Sequence, residues 1–250
     1  MKRSWLMVAM AIALIGCDTQ PTATVSSPPT ASSTPTPTVA KEEAIAKVSL
    51  VEEKPVFVHP KQSPKEIAAE VGSGLNVADT IRTQGKGRTQ VDFNNGVAFR
   101  IGGDSILEIQ PQNRLHLVSG EMITWVQPGL KVPTEISTSV ATAAIRGTTA
   151  YVEIPKDINQ GVRFFSWEGT VVVRLANSSQ EIVLSTGEEI IVKPNSKTPP
   201  VVYRLNLQEW KGRSMNSRFL RSFNAPLPTQ SIIDKLVPGQ SSLDQIPPAK

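Results

Sequence analysis

Few side chains in this sequence have the types and spacing that chemistry needs. The 250 residues hold one cysteine, Cys17, and two histidines, His59 and His116, which lie far apart. His116 alternates with Leu115 and Leu117 as a solvent-facing strand residue would, so neither a metal-ligand nor a general-base role is expected. Gly85-Lys86-Gly87 lacks the spacing of a phosphate-binding loop, and neither a Gly-x-Ser-x-Gly elbow nor a Cys-x-x-Cys pair occurs. Glu188-Glu189 reads as a solvated pair beside a turn, its carboxylates on opposite faces of a strand, not an acid/base dyad. These readings predict no catalytic residue, no cofactor and no metal. Three features remain: a thiol, one arginine set against a glycine, and two tryptophans.

The thiol sits at the end of MKRSWLMVAMAIALIGCDTQ. Two cationic residues precede an apolar run from Trp5 that is too short for a bilayer, which takes about 20 residues, and small residues follow. That order is that of an export signal, and Leu14-Ile15-Gly16-Cys17 resembles a bacterial lipobox. The resemblance implies a signal peptide over 1–16, cleavage before Cys17, and acyl chains on its thiol and amine. At about 0.8 kcal/mol per buried CH₂, two or more chains hold stably where one would not. The expected location is the bacterial cell envelope, facing the periplasm, with the membrane reached through the lipid anchor.

Removing Lys2 and Arg3 with the leader leaves 24 basic against 22 acidic residues, a net of +2. That balance, in an exported chain, argues against a nucleic-acid partner. With no second cysteine there is no disulfide, so the core must stand unstapled. Asp18 to Val39 is almost all Thr, Pro, Ser and Ala, a composition that cannot bury enough apolar surface to fold. Residues 17–46 are therefore expected to be a lipid-anchored, disordered linker.

Charged residues make up 19% of the chain while 20 are Pro and 16 are Gly, which favours strands and turns. Ser63-Pro64-Lys65-Glu66 followed by Ile67, Ala68, Ala69, Val71 and Gly72 predicts a helix of one or two turns with both ends marked. From Gly74 to Pro194, Gly or Asn recurs every 8 to 12 residues between alternating apolar positions. In TQVDFNNGVAFRI, a three-residue loop of Asn94, Asn95 and Gly96 pairs Phe93 with Val97 and keeps Val91, Phe93, Val97, Phe99 and Ile101 on one face. Further strands are expected over Leu115–Val118, Glu121–Val126, Val162–Trp167, Thr170–Leu175, Glu181–Leu184 and Glu189–Val192, with turns at Ser119-Gly120, Glu168-Gly169, Asn177–Ser179 and Thr186-Gly187. The predicted class is all-β, an antiparallel two-layer sandwich or roll.

The arginine is Arg146, in TSVATAAIRGTTAYVEI. Ala141, Ala143 and Ile145 lie at odd positions, whereas Ala150, Val152 and Ile154 lie at even ones. A β-bulge inserts one residue and changes parity in this way, and Gly147 can take the backbone angles it needs. Arg146 is then turned off the ladder and is expected chiefly to satisfy nearby carbonyls, with capture of an acidic ligand or partner as the alternative. Trp125 and Trp167 share parity with Ile123 and Phe165, which favours core packing over stacking on a sugar or peptide. Arg146, Gly147 and Trp167 are the candidate binding residues. From Arg204 onward the chain holds seven basic and three acidic residues, with Trp210, Phe219, Leu220 and Phe223 interleaved among them. This basic tail, 195–250, reads equally as a cationic segment touching lipid headgroups or an envelope polymer and as a strap packing its aromatics on the β domain. Gly212 weakens a continuous helix, and after Pro226 the chain is expected to be loose.

The order of these pieces resembles the FecR domain. GSGLNVADTIRT, GRTQVDFNNGVAFRIGGDSILEI, LVSGEMITWV, STSVATAAIRGTTAYVEI, FFSWEGTVVV and LSTGEEIIV follow one another as that family's segments do, over about Lys47 to Pro194. Ala78 stands where the family usually carries Gly before Asp79, and Val97 where it carries Ser. The resemblance implies a FecR-like β domain over 47–194 in an envelope setting. Founding members cross the inner membrane and hold a sigma factor with a cytoplasmic segment, which a lipoprotein cut before Cys17 would lack. The expected function is thus a non-enzymatic binding or scaffold module with an envelope protein or polymer as partner. The alternative is a FecR-type signalling component that relays an envelope stimulus through a separate membrane partner.

Overall fold

Alternating apolar residues on either side of Asn94-Asn95-Gly96 pair as the sequence predicts. In the computed structural model, which describes residues 43–176 and 178–236, Asp92 faces Ala98 and Val91 faces Phe99. Gly96 has positive φ, and Val91, Phe93, Val97, Phe99 and Ile101 all enter one core. The chain runs through β1 (Ala46–Glu53), β2 (Val56–His59), β3 (Ile67–Ala68), β4 (Gly74–Leu75), β5 (Thr80–Thr83), β6 (Arg88–Phe93), β7 (Val97–Gln110), β8 (Arg114–Val126), β9 (Pro133–Ser137), β10 (Ala141–Arg146), β11 (Thr149–Ile154), β12 (Val162–Glu168), β13 (Val171–Leu175), β14 (Glu181–Leu184), β15 (Glu188–Val192) and β16 (Tyr203–Arg204). Three helices follow: α1 (Leu207–Asn216), α2 (Arg218–Arg221) and α3 (Gln230–Lys235).

The pairings trace two sheets that share one long hairpin. The first sheet runs β4-β1-β6, the first half of β7, the second half of β8, then β11-β12-β15-β16. The second runs β3-β2-β5, the second half of β7, the first half of β8, then β9-β10-β13-β14. Inward residues of both sheets, among them Val91, Phe99 and Val152 from the first and Ala143, Ile136 and Val173 from the second, form the main core. The all-β expectation holds. One pair departs from the antiparallel rule: β8 and β9 run parallel over Arg114–His116 and Glu135–Ser137.

The shared hairpin bends where Ser119-Gly120 was expected to be a turn. It is instead a bulge inside continuous β8: Leu115 and Leu117 point inward before it, Met122, Thr124 and Val126 after it. Gly120 has φ of +80°, and a Cβ there would stand 2.2 Å from Ser105 Oγ on the facing strand. The Glu121 N–H donates to that hydroxyl at 2.8 Å, so a side-chain bond replaces the broken ladder.

At Arg146-Gly147 the parity change is real but its cause is different. β10 belongs to the second sheet and β11 to the first, so the chain crosses between layers here instead of bulging within one ladder. The glycine turns after β12 and β14 likewise cross between sheets. These corners touch: a Cβ on Gly169 would meet Thr148 Cγ2 at 2.4 Å, and the Gly169 N–H donates to Thr186 Oγ1 at 3.1 Å.

The predicted helix at Ser63–Gly72 does not form. Ile67 and Ala68 pair with β2, and the Ala69 N–H donates to the Val56 carbonyl at 2.9 Å. Ser63 Oγ accepts from the Lys65 N–H at 3.2 Å, closing a local turn where a helix cap was expected. Ile67 and Val71 are largely exposed, so a helix this short would have had no buried face to stabilise it.

Candidate functional site

The middle of the first sheet is buried on both sides, and its outer side is where the sequence reading falls short. In β8, Met122, Thr124 and Val126 face the main core while Ile123 and Trp125 face outward, yet all five are buried. The outward side carries a second apolar cluster in which Ala98, Ile123, Trp125, Phe165 and Trp167 meet Trp210, Phe219, Leu220, Phe223, Leu227 and Ile233 from the C-terminal segment. Of the two readings of the basic tail, the structure shows the strap. Between Pro226 and Leu236 it is not loose, since α3 packs Ile233 into this cluster, and Thr149 Oγ1 donates to Thr229 Oγ1 at 2.9 Å. Asn206 caps α1, its side chain accepting from the Glu209 N–H while Glu209 accepts from the Asn206 N–H.

Cross-strand register sets a row across this outward face: Gln90, Arg100, Ile123, Tyr151, Phe165 and Glu189. Arg100 is fully buried. Its Nε donates to Gln90 Oε1 at 2.9 Å, and its two terminal nitrogens donate to the carbonyls of Phe219 and Ala225, each at 2.6 Å. The guanidinium also lies over the Phe223 ring, 4.1 Å from its centroid. Burial pulls its pKa down to about 10, with Glu52 and Asp92 opposing that shift. It remains a cation at neutral pH, satisfied by strap carbonyls.

Carboxylates on the sheet meet arginines of the strap around it. Arg204 donates to Glu188 at 2.6 Å, Arg213 to Glu189 at 2.5 Å, and Arg218 lies 3.0 Å from Glu121. Glu188 and Glu189 are therefore not the solvated pair the sequence suggested, because each is more than nine-tenths buried against a strap guanidinium. Burial raises the Glu121 pKa, opposed by the hydrogen bond it accepts from the Tyr151 hydroxyl at 2.7 Å and by Arg218.

The sequence-predicted site residues do not converge. Cys17 lies outside the described residues. Arg146 is exposed at the end of β10, and among the described residues its guanidinium makes no hydrogen bond or ion pair, so the expected bonding to carbonyls is not what the fold provides. Gly147 has φ of +73° and forms the interlayer corner. Trp167 is 1% exposed, edge-on to Trp210 with centroids 5.2 Å apart, and is thus a packing residue beneath the strap instead of an open stacking platform. Arg100, Glu121 and Arg163 were missed. The one available signal was the coincidence of outward-facing aromatics on the strands with aromatics in the tail.

Among the described residues, His116 Nδ1 lies 3.1 Å from Ser137 Oγ, with Glu108 opposite His116 on β7. Among the described residues no hydrogen bond joins Glu108 to the imidazole, so the ring lacks the orienting partner such a pair needs. Among the described residues no group of His, Cys, Asp and Glu is placed to hold a metal ion, and no helix is long and apolar enough to cross a membrane.

These features define an all-β, two-sheet domain closed on one face by a helical strap. Within it lies a FecR domain: residues 79–172 match the family model described as FecR protein. Among solved structures, two crystal structures of a "putative anti-sigma factor" from Parabacteroides distasonis ATCC 8503 are similar, each 17% identical. They give TM-scores of 0.42 and 0.44 over 50% and 54% of this chain. The chain spans 59% and 63% of their lengths. No curated protein matches the sequence.

Proposed function

We propose that this chain is a non-enzymatic FecR-type signalling component of the bacterial cell envelope, held to a membrane by acyl chains on Cys17 and acting by binding a separate protein. The observation that carries the reading is the FecR match over residues 79–172. The export-type leader ending at Leu14-Ile15-Gly16-Cys17 supports the envelope location and the anchor. Ion pairs and a packed aromatic cluster that hold the helices on the sheet give the domain a fixed surface, which supports action by contact.

Crosslinking in intact cells followed by mass spectrometry tests it, run on the wild type and on Cys17→Ser. The wild type should partition with detergent and capture a membrane-bound regulatory protein; Cys17→Ser should leave the detergent phase as an uncut precursor. Unchanged partitioning of Cys17→Ser refutes the anchor. Capture restricted to structural envelope proteins or polymer supports a scaffold in place of a signalling role.

A further inference from the structure

The first sheet ends on β16, and the outer edge of that strand is open. The Leu205 N–H donates to the Gly187 carbonyl at 2.9 Å, and Tyr203 lies opposite Glu189. Alternation along an antiparallel pair then turns the N–H and C=O of Tyr203 toward β15 and those of Val202 and Arg204 away from it. Among the described residues nothing hydrogen-bonds to the main chain of Val202 or Arg204 on that outer side. Val201, Val202 and Tyr203 are 82%, 39% and 49% exposed, so consecutive apolar side chains accompany the free backbone groups. Charged side chains are a common guard on such edges, but Arg204 is bound back to Glu188 at 2.6 Å and leaves this one uncovered.

We infer that β16 pairs with β16 of a second copy of this chain, antiparallel about a two-fold axis through Tyr203, so that the first sheet continues into its partner. The residues themselves select this occupant and this register. Outward-pointing groups must face outward-pointing groups, which restricts self-pairing to axes through Val202, Tyr203 or Arg204. An axis through Val202 sets Arg204 against Pro200, which has no N–H to give. An axis through Arg204 sets two arginines face to face, and sets Val202 against Asn206, whose N–H is already given to Glu209 at 2.8 Å. With the axis through Tyr203, each Val202 exchanges both main-chain bonds with the partner's Arg204, and the tyrosine rings meet across the junction. The free edge of β14 is less suited: its one strongly exposed apolar residue, Val183, stands beside Glu181, and the next outward N–H, that of Ser185, is held by Glu188 at 2.8 Å. The inference concerns assembly, goes beyond the signalling reading and does not depend on it.

The test is the molar mass of the full chain in detergent by sedimentation equilibrium, over about 1 to 500 µM, the span of a weak interface. A concentration-dependent monomer–dimer equilibrium is expected. Val202→Pro removes an outward N–H and leaves the bonds of Tyr203 to β15 in place. With a bond lost from each copy, it should raise the dissociation constant about tenfold or more, while the far-ultraviolet β signal stays unchanged. Mild oxidation of Tyr203→Cys reads the register. Opposed residues that share no hydrogen bond have Cα atoms about 4.5 Å apart, within disulfide reach, so a covalent dimer linked through position 203 is expected. Val201→Cys is the more exposed site, yet in this register its two copies stand about 13 Å apart along the strands and should not link. Mass spectrometry of the linked peptide separates a bond at position 203 from one through Cys17. A chain that stays monomeric through that range overturns the inference. So does the absence of a link at position 203, a Val201→Cys link as rapid as that of Tyr203→Cys, faster linking of Val183→Cys on β14, or undiminished association of folded Val202→Pro.

Discussion

Arg100 holds the strap through backbone carbonyls, and that makes its effect on stability unusual. A carbonyl cannot be neutralised or moved by choosing another rotamer, so truncating the arginine leaves the buried Phe219 O and the part-buried Ala225 O with one donor fewer each. Its folded pKa, pulled down to about 10 from the usual guanidinium value, means that the penalty for burying the cation is present in full at neutral pH and begins to fade only as pH rises through about 10. The hydrogen bonds and the Phe223 face must offset it. Arg100→Met, which keeps the bulk, is expected to destabilise the chain by about 2–4 kcal/mol, measured as a lowered urea midpoint, and to make residues 217–236 the first site of proteolysis. Sequence reading could not have ranked Arg100 this way. Alternation in VAFRI does place its side chain outward, but period two distinguishes the two sides of a strand and does not say whether the outer side meets water or a helix. The same ambiguity explains Glu188 and Glu189, whose opposite orientation was legible while their strap partners, Arg204 and Arg213, were not.

At the scale of elements, the strands and the Asn94–Gly96 loop were readable because they depend on local parity and turn chemistry. Which sheet a strand joins was not. A glycine turn such as Glu168-Gly169 looks the same in sequence whether it closes a hairpin or carries the chain to the other layer, since that choice depends on contacts made by β10 and β15 far along the chain. The stacked corners give this a measurable consequence. Gly169→Ala introduces a Cβ 2.4 Å from Thr148 Cγ2 at φ of +82°, and should lower stability by about 2 kcal/mol or more in thermal melts. Ala78 is the converse case: it holds φ of +71° at the place where the FecR pattern usually has Gly, so Ala78→Gly should raise stability by about 1 kcal/mol. The failed helix at Ser63–Gly72 shows the limit of end signals, which mark where a helix can start and stop but supply no face for it to bury.

Across the whole molecule, the FecR match ends at residue 172, whereas the folded structure extends past Ile233. The helices cover an aromatic face that the β strands alone would leave open. Deleting residues 205–250 should therefore expose Trp125, Phe165 and Trp167 together, giving strong binding of a hydrophobic dye and concentration-dependent association in light scattering, without loss of the far-ultraviolet β signal. A deletion variant that stays monomeric and dye-silent would show that the strap is decoration.

Glu52, near the end of β1, accepts from both the backbone N–H and the side-chain amide of Asn224, at 3.0 and 2.7 Å. These bonds stitch the first strand of the fold to a residue 172 positions later, directly beyond α2. The described polypeptide is thereby fastened heel to head by a tie that neither sheet ladder supplies.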